Sequence, residues 1–132
     1  TDASVADFIA SVDHPRRRAD AEAILALMSD VTGETPVMWG PSIVGFGRYR
    51  AATGDWPLIG FSPRKANLVL YIMPGAEARA DLIQRLGKVR TGASCVYVSR
   101  LDALDPSALR ELCAWSYRDM RDRYPSAQAS PR

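Results

Sequence analysis

Cysteine, histidine and net charge are all scarce in this 132-residue chain, and each scarcity removes a class of function. The two cysteines, Cys95 and Cys113, are distant in sequence and lie in apolar contexts, so free buried thiols are expected rather than a disulfide or a metal clamp. The single histidine, His14, precedes Pro15 at a helix boundary, where capping or a surface role fits better than general-base catalysis. No CxxC, HExxH or EF-hand loop is present, so no metal site is assigned. With 17 basic and 15 acidic residues the formal charge is only +2, too small a field to hold nucleic acid non-specifically, and any basic site must be local. The chain also lacks the RNP-like aromatic motif of an RNA-binding sheet. No apolar run approaches the roughly 20 residues of a membrane span, and no charged-then-apolar leader opens the chain. A cytoplasmic protein is expected, with neither membrane nor nucleic acid as a partner.

What is there reads as one folded domain. Charged residues at 24% and hydrophobic residues at 47% match ordinary globular proteins, so a single domain over residues 1–125 is expected, followed by a disordered polar tail over 126–132. Ser4 precedes a helical stripe of Val5, Phe8, Ile9 and Val12 in a Ser-x-x-Asp capping pattern through Asp7. Pro15 opens a second helix with Ile24, Leu27, Met28 and Val31, closed by Gly33. A third helix carries Ala78, Leu82, Ile83 and Leu86 and stops at Gly87. Asp105 and Pro106 cap a fourth, with Leu109, Leu112, Cys113 and Met120, ending near Tyr124 because Pro125 follows.

Between the helices the texture is β-branched and aromatic, interleaved with glycine. One strand is expected over Ile43 to Tyr49, with Val44, Phe46 and Arg48 on one face and Gly45 and Gly47 on the other; AATGD, residues 51–55, then reads as a turn. Runs 57–61 and 67–73 form an antiparallel hairpin about a five-residue SPRKA connection, and Cys95 to Val98 adds a short strand. The fold class is α+β: two N-terminal helices, a mainly antiparallel sheet of about five strands, and two further helices packed on it.

Candidate ligand-binding residues gather in the short loops and the strands beside them. Arg64 and Lys65 occupy the hairpin tip, and Lys88 and Arg90 follow a helix end, with Thr91, Gly92 and Ser94 offering hydroxyl and backbone donors. Such groups hold carboxylates or phosphates by charge-assisted hydrogen bonds. Trp39, Phe61 and Tyr71, with Tyr49 and Trp56, supply apolar walls of the kind small-ligand sites use. The expected partner is a small anionic molecule or an acidic protein segment, with no catalytic residue and no cofactor. The two loops are expected to be neighbours, Lys65 and Lys88 approaching one cleft bordered by Trp39 or Tyr71.

The ordered segments MWGPSIVGFGRYR, GDWPLIGFSPRKANLVLYIMPG and RLGKVRTGASCVYVSRLDALD resemble the domain-of-unknown-function 1801 family, also called YdhG-like, over about residues 14 to 120. The resemblance implies a compact α/β domain related in shape to frataxin. It places Trp39, Gly40, Phe61, Lys65, Tyr71, Gly87, Lys88, Gly92, Ser94 and Cys95 at recurrent motif positions, with Ala93 where members often carry lysine. It also implies an alternative function, iron delivery, for which the exposed carboxylates expected at Asp13, Asp20 and Glu22 are the available oxygen donors. An enzyme using the Cys95 thiol is a third reading.

Overall fold

The computed structural model describes residues 3–127. Most of the expected tail, residues 128–132, lies outside them, while Ala127 turns back to donate its backbone N–H to the Tyr124 carbonyl. Helix α1 runs Ala3–Ala10 and already contains Ser4, so the expected N-cap lies within the helix. Helix α2 runs Pro15–Thr32; His14 caps it, its Nδ1 accepting from the Arg16 backbone N–H at 3.2 Å, and Gly33 closes it at φ 68°. Helix α3, Ala80–Leu86, ends at Gly87. Helix α4, Pro106–Arg123, starts at Asp105, whose carboxylate accepts from the Ser107 and Ala108 N–H groups at 2.9 and 3.2 Å.

The strands are β1 Pro36–Trp39, β2 Ile43–Phe46, β3 Tyr49–Ala51, β4 Gly54–Trp56, β5 Ile59–Pro63, β6 Leu68–Tyr71, β7 Arg90–Thr91 and β8 Cys95–Val98. Six of them form an antiparallel sheet in the order β1-β2-β5-β6-β8-β7, and β3 and β4 make a separate hairpin. The fold is therefore α+β, with one more strand in the main sheet than the sequence indicates. The addition is β7, two residues of the GKVRTGAS segment that pair with β8.

The strand expected over Ile43 to Tyr49 is broken. Gly47 adopts φ 71°, a left-handed conformation that glycine takes without strain, and the chain leaves the sheet there. Arg48 consequently does not join Val44 and Phe46 on the core face, and AATGD is the turn of the β3–β4 hairpin, with Ala51 paired to Gly54. The tip between β5 and β6 is also tighter than five residues: the Arg64 N–H donates to the Asn67 carbonyl, leaving Lys65 and Ala66 at the apex.

Strand alternation sorts the sheet into two faces. Val44, Phe61, Leu70 and Val96 stand in one cross-strand row, all fully buried beneath α2 and α4. The opposite face carries the row Val37, Gly45, Gly60, Tyr71 and Cys95, and beside it Val69, Tyr97 and Arg90. A second, smaller core of Tyr49, Leu58 and Met120 joins the β3–β4 hairpin to the end of α4, where the Tyr49 and Tyr124 rings lie 4.4 Å apart.

Near that second core, the Tyr117 hydroxyl donates to Glu34 Oε2 at 2.6 Å. Burial, and then this hydrogen bond, push the Tyr117 phenol up to about 12, and burial alone does the same to the Cys113 thiol. Both groups hold their protons more tightly folded than unfolded. Their contribution is thus complete below their ordinary values of 10.0 and 9.0 and is lost as pH rises through about 12. Tyr117→Phe is expected to cost roughly 1.5 kcal/mol at neutral pH by removing a hydrogen bond to a carboxylate. It should also flatten the alkaline fall in stability, and urea unfolding at neutral and alkaline pH tests both effects. Equal alkaline losses in wild type and variant would show that Tyr117 plays no part in the fall.

Candidate sheet-face binding site

The face of the sheet away from the helices is shaped by two glycines. Gly45 and Gly60 are cross-strand partners, and their missing side chains leave a trough between β2 and β5. The Trp39 indole lies in it: a Cβ on Gly45 would sit 2.4 Å from Trp39 Cδ1 and 2.7 Å from the Pro57 Cβ. The β3–β4 hairpin rises beside this trough, and together they form a half-open cavity of about 510 Å³. Its apolar walls include Trp39, Ile43, Tyr49, Trp56, Tyr71 and Met73, with Ser94 and Asp55 among its few polar groups. Trp56 is 42% exposed at this edge.

Tyr71 connects the cavity to a cationic strip. Its ring lines the cavity, and its hydroxyl accepts from Arg64 Nη2 at 3.0 Å. Farther along, the Arg90 guanidinium stacks on the Tyr97 ring, 5.1 Å from the centroid. The Tyr97 phenol is held above its usual pKa, first by the neighbouring Cys95 side chain and then by burial, while Arg90 and Arg64 pull the other way. Both guanidinium groups therefore act on one tyrosine. Neither forms an ion pair with a carboxylate among the described residues. Trp39 Nε1 is likewise buried without an acceptor.

The expected site residues thus divide. Trp39, Tyr71 and Ser94 line the cavity, the Ser94 hydroxyl lying 3.5 Å from the Met73 carbonyl oxygen. Arg64 and Arg90 form the strip, with Thr91 exposed beside Arg90 on the edge strand and Gly92 packed against Tyr97, whose hydroxyl would lie 3.4 Å from a Cβ at that position. Phe61 is no wall of the site, because its strand parity turns it into the main core, where it is fully buried. Lys65 and Lys88 do not converge on this cavity. Lys65 lies at the end of the sheet carrying Leu68 and Val98, beside His14, Arg16 and Arg17, and Lys88 is exposed and lines none of the cavities described.

Of the three carboxylates considered for iron, Asp20 is buried at 4% exposure and accepts from Arg17 Nη1 at 3.0 Å, which removes it from the surface. Asp13 and Glu22 are exposed. Among the described residues no group of three or more His, Cys, Asp or Glu side chains is placed to hold a metal ion. Cys95 is half-buried on the sheet face two residues from Tyr97 on the same strand, and Cys113 is buried in α4. The hairpin wall is a feature that sequence reasoning missed, although Gly47 and the Thr53-Gly54 pair are ordinary signals of a break and a tight turn.

No helix among the described residues is long and apolar enough to cross a membrane. No family model, curated protein or solved structure matches the chain.

Proposed function

We propose that this domain is a noncatalytic binding module for a small amphipathic anion. The apolar body of the ligand occupies the sheet-face cavity, and its carboxylate or equivalent acidic group rests against Arg64 and Arg90. Tyr71 is the observation that carries this reading, since one side chain both lines a cavity of about 510 Å³ and accepts from Arg64 at 3.0 Å. Small-ligand sites commonly occupy about 300–1,000 Å³ and combine apolar walls with a few placed polar groups. Arg64 and Arg90 serve the same sheet face without a carboxylate partner among the described residues, so an acidic group resting against them answers charge left unpaired there. The volume and largely apolar lining of the cavity favour a small molecule over an acidic protein segment. A cytoplasmic setting and membership of the YdhG-like family belong to the same proposal, supported by the free thiols and by the three motif segments.

Calorimetric titration with 2-naphthoate and its neutral analogue 2-naphthalenemethanol tests the charge and the cavity together. The carboxylate is expected to bind at least about tenfold more tightly than the alcohol, with affinity falling as salt is raised. Equal binding of acid and alcohol, or no saturable binding across a panel of aryl and alkyl carboxylates, would remove the reading.

A further inference from the structure

The hairpin tip between β5 and β6 sends its two cations to different places. Arg64 reaches across the sheet face to Tyr71, whereas Lys65 faces the start of α2 and lines a small pocket of about 120 Å³ with His14, Arg16, Arg17 and Ser99. We infer that this pocket is a second anion site, separate from the sheet-face cavity, and that it takes the phosphoryl group of a small phosphate monoester.

The pocket rests on a fixed base. Arg17, only 11% exposed at its side chain, donates through Nε to the Arg64 carbonyl at 3.0 Å and through Nη1 to the Ser99 carbonyl at 3.2 Å. The same Nη1 donates to the buried Asp20 carboxylate at 3.0 Å. One guanidinium thereby ties the hairpin tip, the end of β8 and the first turns of α2 together, and Asp20 answers its charge. The Arg16 backbone N–H is already taken by His14 Nδ1, so the free donors around the pocket are side chains. Lys65 and Arg16 are both exposed and neither forms an ion pair with a carboxylate among the described residues. Two cations held around one small pocket repel, even with the Asp102 carboxylate acting on Arg16, and a doubly charged tetrahedral oxyanion relieves that repulsion while accepting from both.

The pocket adjoins a larger cleft of about 670 Å³ that shares His14, Arg17 and Lys65, adds the apolar side chains of Phe8, Val12, Pro15 and Pro63, and is also lined by Asp13 and Arg64. That continuation fits the organic substituent of a monoester.

Inorganic phosphate and phenyl phosphate are the probes, titrated into the whole chain by NMR at constant ionic strength. Both should shift the amides around Arg16, Lys65 and Ser99, with phenyl phosphate binding several-fold more tightly. Lys65→Ala combined with Arg16→Ala should weaken both by about a hundredfold, and Lys65→Arg should retain most of the affinity. Arg90→Ala, which impairs the sheet-face site, should leave phosphate binding unchanged, so the two proposals fail separately. Absence of saturable phosphate binding, or binding indifferent to the Lys65 and Arg16 double variant, would overturn the inference. Equal affinity for the two probes would overturn the assignment of the cleft to the substituent.

Discussion

Gly60→Ala is expected to lower the stability of the fold by about 3 kcal/mol, the upper part of the range for overpacked sites, and its thermal midpoint by roughly 10 °C. A Cβ at residue 60 would stand 2.6 Å from the Val44 carbonyl oxygen and 3.3 Å from the Gly45 Cα, both of them backbone atoms. Backbone cannot swing aside as a side chain can, so relief requires β2 and β5 to separate along their shared register. Gly45→Ala makes an informative contrast. Its new Cβ would stand 2.4 Å from Trp39 Cδ1, which the indole relieves by swinging into the cavity, and 2.7 Å from the Pro57 Cβ, which moves only with its ring and backbone. The alanine at 45 should therefore also cost stability and, by displacing the indole, weaken 2-naphthoate binding by about tenfold. Thermal unfolding followed by calorimetric titration of the two variants separates the effects. Gly60→Ala as stable as wild type would show that the close approach of the strands is not required.

The second large effect is expected at the cationic strip. Arg64→Ala and Arg90→Ala together should weaken 2-naphthoate binding by about a hundredfold, about tenfold for each guanidinium removed, and leave the fold at its wild-type midpoint. Both side chains are exposed, and the structural bond at residue 64 is made by its backbone carbonyl, which the substitution retains. Binding of the neutral 2-naphthalenemethanol should change little, because the cavity walls remain. Affinities for acid and alcohol would then approach each other in the double variant, and the salt dependence of acid binding would flatten. Parallel weakening of both ligands would point instead to collapse of the Tyr71 wall.

The helices were legible because their ends carry chemistry that acts locally. Pro15, Gly33, Gly87 and the Asp105-Pro106 pair each fix a cap through neighbouring backbone, and all four mark boundaries in the folded chain. The β5–β6 hairpin was legible for the same reason, from Pro63 and the polar tip. Long-range pairing was not. Residues Arg90 and Thr91 are a strand only because β8 lies beside them, and nothing within RTGAS distinguishes a two-residue edge strand from a loop. Phe61 was misplaced because an aromatic in a strand can face either way, and only the register with Val44 and Leu70 turns it inward. Gly45 and Gly60 show the same limit from the other side: each reads as a bend or a close approach, and only their pairing makes a trough for Trp39. Asp20 and Arg17 are neighbours on one helix face, but their burial comes from the Arg64 and Ser99 carbonyls, 47 and 82 residues from Arg17.

Intermolecular NOE mapping of 2-naphthoate bound to the protein tests the central claim most directly, because it locates the ligand rather than inferring its place from variants. The ring protons are expected to contact Trp39, Ile43, Tyr71 and Met73, with the carboxylate directed toward Arg64 so that its side-chain resonances shift on binding. NOEs confined to another surface, or a ring seated in the cavity with its carboxylate turned away from Arg64 and Arg90, would contradict the account.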